Sequence, residues 1–331
     1  MTVQPGPARP GGPTPTVELT PPDISPYRAG NTGIPYVTTF DSGQAGPHVL
    51  ICALTHGNEI SGAIALDHLL RHEVRPVAGR LSVAFMNTNA YSQFDPTRPH
   101  ASRYIDEDFN RLWNPTILEA PEPSIERRRA RELRPLIDDV DLLLDLHSMQ
   151  SGHRPILLSG PADKGRAFAR RVGGNITIVS DMGHGRGTRM RDYGCFNTPT
   201  APHNALLAEC GPHWKTVTAE TAIETVYRFL DVTGVVSPGA LPVEIPDAPR
   251  QASWVEVTGR FVPETGVAQF ARVFENLENV PEAGTIIAYD GPRDIRTPYD
   301  DCILVMPARR LVAGQTAVRL GRLRSFDDDV C

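Results

Sequence analysis

His56 and Glu59 stand three residues apart just beyond an apolar run, Val49-Leu50-Ile51-Cys52-Ala53-Leu54. That run reads as a buried strand. The residues after Glu59 read as a helix with Ile60, Ala63, Ile64 and Leu70 on or near one face. The pair therefore falls where a strand ends and the next helix begins, the edge at which open α/β sheets bind ligands. An imidazole and a carboxylate at this spacing can close on one metal ion, and two histidines with one glutamate make a hydrolytic zinc arrangement. Taken alone, the pair is weak, because two surface residues can fall at this spacing by chance. A second apolar strand, Asp141-Leu142-Leu143-Leu144-Asp145-Leu146-His147, delivers another imidazole to the same edge. His56, Glu59 and His147 then supply three ligands and leave a position open, and one Zn2+ per subunit is the expected cofactor.

The elements that must position these groups follow from periodicity and turn residues. Residues 33–40 and 48–54 read as strands flanking a turn-rich connector, so a hairpin is expected. A helix over 59–74 is stopped before Pro76, and residues 80–87 form another strand. Residues 89–114 are long and irregular, and such loops in compact domains usually carry function. Residues 122–138 read as a charge-rich helix. Its Arg127, Arg128, Arg129, Arg131 and Arg134 are most simply a solvated face paired with Glu126 and Glu132. Further strands are expected at 155–159, 176–180 and 204–209, with helices at 162–172 and 216–230. Strands alternating with helices predict an α/β/α layered domain. After a Pro-rich linker at 235–249, short alternating strands between Gly/Pro turns predict a small all-β domain.

Composition bounds the function classes. The chain has 331 residues, 22% of them charged, with a formal charge of −6. That sign argues against nucleic acid or an anionic membrane surface as the main partner. No apolar run approaches the ~18–20 residues of a membrane span, and the N-terminus lacks a signal pattern, so a cytoplasmic location is expected. The five cysteines, Cys52, Cys195, Cys210, Cys302 and Cys331, show no CxxC spacing. Neither a disulfide framework nor a thiolate zinc site is indicated, and Cys52 and Cys210 read as reduced core thiols. The Pro/Gly-rich arm over residues 1–32 is either flexible or packed on a partner, which makes a homo-oligomer, with a dimer plausible, the expected assembly.

Four segments now stand in order. They are His56-Gly57-Asn58-Glu59, then Arg103 with Asp108-Phe109-Asn110-Arg111-Leu112-Trp113, then Asp145-Leu146-His147-Ser148, and Ala208-Glu209-Cys210-Gly211-Pro212-His213-Trp214. This ordered set resembles the succinylglutamate desuccinylase/aspartoacylase family, relatives of the zinc carboxypeptidases, over roughly residues 47–231. The resemblance implies a three-layer α/β/α zinc-carboxypeptidase-like catalytic domain over residues 33–234, followed by a small C-terminal all-β domain over 250–325. Family members often carry such a domain over the active-site edge.

By the same resemblance His56, Glu59 and His147 hold zinc, and Glu209 matches the glutamate that works on the attacking water. Arg103 matches an arginine that stabilises the oxyanion. Asn110 and Arg111 match the pair that grips a substrate carboxylate, a task suited to the guanidinium fork. Asp145, two residues before His147, lies on the same side of its strand and could orient it. An acyl-recognising arginine is expected among Arg186, Arg189 and Arg191. Tyr299 is the late-chain candidate for reaching the site, although packing explains it better. His153, His184, His203 and His213 lack strand-end pairing and read as ordinary polar residues.

The implied activity is zinc-dependent hydrolysis of a small N-acyl amino acid. A carboxypeptidase-like peptidase is the alternative enzyme. A non-catalytic binding protein of the same fold would be expected to have lost a ligand or Glu209, and all are present. The β domain looks similar to a biotinyl/lipoyl fold, yet no lysine follows Lys215 to serve as an attachment amine.

Overall fold

The computed structural model describes residues 16–150, 154–183, 185–245 and 251–327. In chain order the elements are β1 (Val37–Asp41), β2 (His48–Ala53), α1 (Ile60–Arg71), β3 (Arg80–Phe85), α2 (Thr88–Tyr91), α3 (Pro115–Leu118) and α4 (Ile125–Asp138). There follow β4 (Leu142–Met149), β5 (Ile156–Leu158), α5 (Asp163–Val172), β6 (Thr177–Ser180), β7 (Asn204–Pro212) and α6 (Thr216–Thr233). The C-terminal region adds β8 (Ser253–Phe261), β9 (Gln269–Phe270), β10 (Glu278–Val280), β11 (Ile286–Asp290), β12 (Arg293–Arg296), β13 (Cys302–Val305) and β14 (Val318–Ser325).

The large sheet runs β1-β3-β2-β4-β7-β5-β6-β8-β14-β13-β10, and β12-β11-β9 form a smaller one. β3, β2, β4 and β7 are parallel, so their carboxyl ends share one edge. Alternation along β2 shows why its sequence is apolar throughout. Val49, Ile51 and Ala53 face a core with Leu66, Leu69, Val226 and Phe229 of α1 and α6. Leu50 and Cys52 face a second core with Leu133, Leu136 and Ile137 of α4 and with Phe109 and Trp113. A strand buried on both faces needs no polar alternation. Leu144 sits fully buried in central β4. Leu144→Ala is therefore expected to cost about 2–5 kcal/mol, read as a lower urea midpoint at unchanged slope.

Three expectations need correction. β1 and β2 do not form a hairpin: β3 inserts between them, antiparallel to β1 and parallel to β2. The Ser42–Pro47 connector is tied instead to the turn before β3, through Ser42 N to Gly79 O and Gly79 N to Gln44 O. The arginines of α4 are not a simple solvated face either. Arg129 is buried and donates to the carbonyls of Met86, Pro35 and Phe85, while its pair with Glu132 at 3.1 Å does form. Glu126 is fully buried and accepts from the backbone N–H groups of Ile105, Asp106 and Glu107. A guanidinium or carboxylate with several hydrogen-bonding positions can satisfy the backbone of an irregular loop, which the regular elements cannot.

The third correction concerns the N-terminal arm. From Thr16 onward it lies against its own chain: Glu18 N donates to Trp214 O, Lys215 Nζ lies 2.6 Å from Glu18 Oε1, and Tyr91 donates to Pro22 O. Residues 1–15 lie outside the described part, as do residues 246–250 of the linker and Cys331. The C-terminal strands keep an apolar core of their own around Phe261, Val280, Ile287, Leu304 and Val318. They are nevertheless joined to the large sheet by parallel pairing of β6 with β8. Cys52, Cys195, Cys210 and Cys302 are free thiols, and Cys52, Cys210 and Cys302 are buried. No helix among the described residues is long and apolar enough to cross a membrane.

Candidate active site

β2 ends at Ala53, and the next residue, Leu54, is held at φ 62°, an uncommon conformation for a branched residue and one that clusters at functional turns. The chain then delivers His56, Gly57, Asn58 and Glu59. Gly57 is required here, because a Cβ would fall 2.4 Å from the backbone at Ala90 and Tyr91. Glu59 is the N-cap residue of α1, where unpaired helix amides favour a carboxylate. On the neighbouring strands His147 of β4 and Glu209 of β7 are register partners, so both side chains face the same side of the sheet.

His56 presents Nδ1 to Glu59 Oε1 and His147 presents Nδ1 to Glu59 Oε2, each at 2.8 Å. All three residues are buried, and their ligand atoms lie within 4.8 Å of one another. The outward nitrogens meet carboxylates: His56 Nε2 is 3.0 Å from Asp108 Oδ1, and His147 Nε2 is 2.9 Å from Asp145 Oδ2. The Asp145 contact is close but not aligned as a hydrogen bond. Its other oxygen accepts from Thr55 Oγ1 at 2.8 Å. The carboxylate at His147 Nε2 favours the tautomer whose Nδ1 lone pair points inward, as a metal site requires, while His56 Nε2 is shared between Asp108 and Arg103 Nη2, the latter at 2.8 Å. Burial alone would raise the Glu59 carboxyl, but the two imidazoles outweigh it and hold it well below the usual range. Two imidazoles and an ionised carboxylate in one buried cluster suit zinc.

Glu209 is buried, and its Oε2 has no hydrogen-bond partner among the described residues. Burial pushes its carboxyl up to about 8; His147 opposes this and Glu59 adds to it. An unpartnered carboxylate beside a metal-type cluster has the pKa expected of a group that exchanges protons near neutrality.

Arg103 comes from the irregular loop that Glu126 holds. Its Nη1 lies 3.3 Å from Glu59 Oε1 and its Nη2 3.2 Å from Asp108 Oδ2. Its carbonyl accepts from Gly57 N, which ties the loop to the His56 turn. Asn110 is buried, and its Oδ1 accepts from Met190 N at 3.1 Å, so it also holds in place the loop that carries Arg189 and Arg191. Arg111 donates to the Asn110 carbonyl. Burial pulls its guanidinium down to about 10; Asp108 opposes this, while Arg103, Arg189 and Arg319 reinforce it.

The remaining candidates separate. Arg189 makes a buried two-point ion pair with Asp181 and a further contact with Asp192. Arg191 is spent on the carbonyls of Ser159 and Ala205 and on Asp192. Neither guanidinium points its hydrogen bonds into a cleft. Tyr299 donates to or accepts from Thr258 Oγ1, and Arg322 stacks on its ring at 3.8 Å, so it packs within the C-terminal region. His203 lies 3.7 Å from Asp141, away from the cluster. His213 is closer than expected: its Nδ1 is 2.7 Å from Ser148 Oγ, and burial pulls it down to about 3. His153 and His184 lie outside the described residues.

Asp181→Asn is expected to cost about 3–5 kcal/mol, because it strands the buried Arg189. Burial would raise the Asp181 carboxyl, but Arg189 holds it well below the ordinary value. Its contribution is therefore complete above about pH 4 and fades as the pH falls further. Urea midpoints of parent and variant should converge in acid.

Sequence reasoning assigned no role to Asp108, although it stands in the Asp-Phe-Asn-Arg segment two residues before Asn110. It missed Arg319 altogether. This arginine of β14 lies 3.6 Å from Asp181 Oδ2 and close enough to influence Glu209 and Arg111. A lone arginine in a distant β strand carries no local signal.

A mixed sheet between helical layers carries at its carboxyl edge a buried His–Glu–His group that could hold a metal ion, which defines the class as an α/β protein with a metal-type site. A model of the succinylglutamate desuccinylase/aspartoacylase catalytic domain matches residues 45–224, and the chain belongs to that family. It is 32% identical over 118 residues to the zebrafish (Danio rerio) N-acyl-aromatic-L-amino acid amidohydrolase (carboxylate-forming) A. That match spans 31% of this chain and 33% of the zebrafish protein. The fold is similar to that of succinylglutamate desuccinylase from Vibrio cholerae, with TM-score 0.65, 17% identity, and coverage of 88% of this chain and 86% of that one. The corresponding enzyme from Chromobacterium violaceum gives TM-score 0.62 and 18% identity, over 88% and 89% of the two chains.

Proposed function

We propose that the protein is a zinc-dependent deacylase that hydrolyses the amide bond of a small N-acyl amino acid or a related carboxylate-bearing amide. The observation that carries this reading is Glu209, a buried carboxylate with an unpartnered oxygen, in register with His147 at the His56–Glu59–His147 cluster. Zinc, held there by those three residues, would supply a water of lowered pKa and polarise the scissile carbonyl.

The chain's own groups do the rest. Glu209 accepts a proton from the attacking water and hands it to the leaving nitrogen as the C–N bond breaks, leaving a carboxylic acid and an amine. Arg103, held by Glu59 and Asp108, places positive charge where the oxyanion develops. Arg111 takes the amino-acid carboxylate, and Asn110 sets the loop that carries it. Asp145 and Asp108 orient the two imidazoles. The family and the zebrafish relative, an N-acyl amino acid amidohydrolase by name, support this chemistry.

The test is a panel of N-acyl amino acids and short unblocked peptides offered to the zinc-loaded protein, read by release of amine. Cleavage of the acylated amino acids in preference to the peptides is expected. Cleavage of peptides alone, or a purified protein that binds no divalent metal, would overturn the reading.

A further inference from the structure

Glu126 lies in the first turn of α4 and is fully buried. Four N–H donors converge on its carboxylate. Oε1 accepts from Ile105 N at 2.7 Å and from Asn87 Nδ2 at 3.2 Å. Oε2 accepts from Asp106 N at 3.1 Å and from Glu107 N at 3.3 Å. All four donors are neutral, and no cation among the described residues forms an ion pair with this carboxylate. A buried carboxylate without a counter-charge is costly to keep. Here the backbone stands in for the cation: three successive amides aimed at one point form an anion-binding nest. The chain's own side chain fills it.

The nest sits between the groups assigned to the reaction. Arg103 precedes Ile105 by two residues, and Asp108, Asn110 and Arg111 all follow Glu107 within four. The docking runs in both directions, since Asp106 Oδ2 accepts from Ile125 N at 2.8 Å and Arg127 Nε lies 2.6 Å from Glu107 Oε1. Asn87, the fourth donor, carries the connection onward to the metal-type cluster. Its backbone N–H donates at 2.9 Å to the carbonyl of Leu54, which begins the turn that presents His56. One carboxylate thus registers an irregular segment against both α4 and that turn.

We propose that Glu126 is a positioning residue for the reaction: by filling the nest it sets Arg103 and Arg111 at their working distance from the His56–Glu59–His147 cluster. This inference rests on the deacylase reading and adds to it a residue that touches neither metal nor substrate. A neutral isostere cannot replace the carboxylate. A glutamine presents one oxygen and turns its NH2 group toward N–H donors, so in either orientation at least one backbone amide loses its acceptor. The segment must then shift, and misplacing a substrate-holding group by about 1 Å can cost about 100-fold in rate.

The test compares an N-acyl amino acid with its primary amide, which differ only in the carboxylate assigned to Arg111. The parent enzyme should favour the acid in kcat/KM by about tenfold or more. In Glu126→Gln the KM for the acid should rise by about tenfold or more, and the acid-to-amide ratio should fall toward one. A purely structural role lowers the folded fraction, scales both substrates alike and leaves KM and the ratio at parent values. Hydrogen–deuterium exchange reads the nest without turnover: the amides of 105–107 should exchange faster in Glu126→Gln while those of β4 stay protected. If neither form cleaves either amide, the deacylase reading falls, and the exchange rates alone decide whether Glu126 sets the loop. A parent ratio near one, an unchanged KM and ratio in the variant, or equal exchange in the two proteins would overturn the proposal. Should Glu126→Gln fail to fold, Glu126→Asp, which keeps the charge one methylene short, takes its place. A smaller shift in the same direction supports the proposal, and parent values sink it.

Discussion

Glu209→Gln is expected to lower kcat by about 100- to 10,000-fold, with the melting temperature unchanged or higher. The two side chains have nearly the same shape, so the change removes proton transfer and little else. Glu209 Oε2 has no partner to lose among the described residues, and a neutral amide, like the protonated carboxyl that burial favours, places no charge at the end of β7. KM should move little, because Glu209 is not the group assigned to the substrate carboxylate. Steady-state kinetics on the best substrate of the panel, beside a melting curve, checks both halves. Activity retained within a few-fold would exclude Glu209 as the proton carrier.

The second large effect concerns metal affinity. Glu59 faces both imidazoles with separate oxygens, and Oε2 also accepts the backbone N–H of Ser148. Glu59→Gln replaces the only anionic member of the three-residue cluster with a neutral amide, one end of which repels a cation. Asp145→Asn leaves all three ligands and weakens only the support behind His147. Loss of such an outer partner typically costs about 10- to 100-fold in metal affinity. Zinc affinity should therefore fall in the order parent, Asp145→Asn, Glu59→Gln, with the last below that range. Competition against a chromogenic chelator measures this without reference to activity. Equal affinities for parent and Glu59→Gln would show that zinc binds elsewhere.

The residues of the His–Glu–His group were legible because each ends a buried strand or opens a helix. The apolar runs before His56 and His147 and the apolar run before Glu209 announce parallel strands buried on both faces. Their ends share an edge for topological reasons. Strand pairing was less legible. The connector between β1 and β2 has the composition of a hairpin turn, yet β3 intervenes, because pairing depends on which apolar faces the helices must cover. The arginines of α4 look like surface charge by spacing alone, and the loops that use them as donors are distant in sequence.

The amino-acid sequence by itself determined the alternation of strands and helices and the strand-end placing of His56, Glu59 and His147, since short-range periodicity encodes them, while Glu209 was singled out by the family resemblance of the four ordered segments and not by its strand. Tertiary structure alone decided that Asp108 backs His56, that Arg189 and Arg191 are consumed internally, and that Arg319 comes to lie beside Asp181 from a strand over a hundred residues further along the chain. It also decided the proton affinity of Glu209, which comes from burial. These properties depend on which distant segments share space and exclude water, and no local pattern records that.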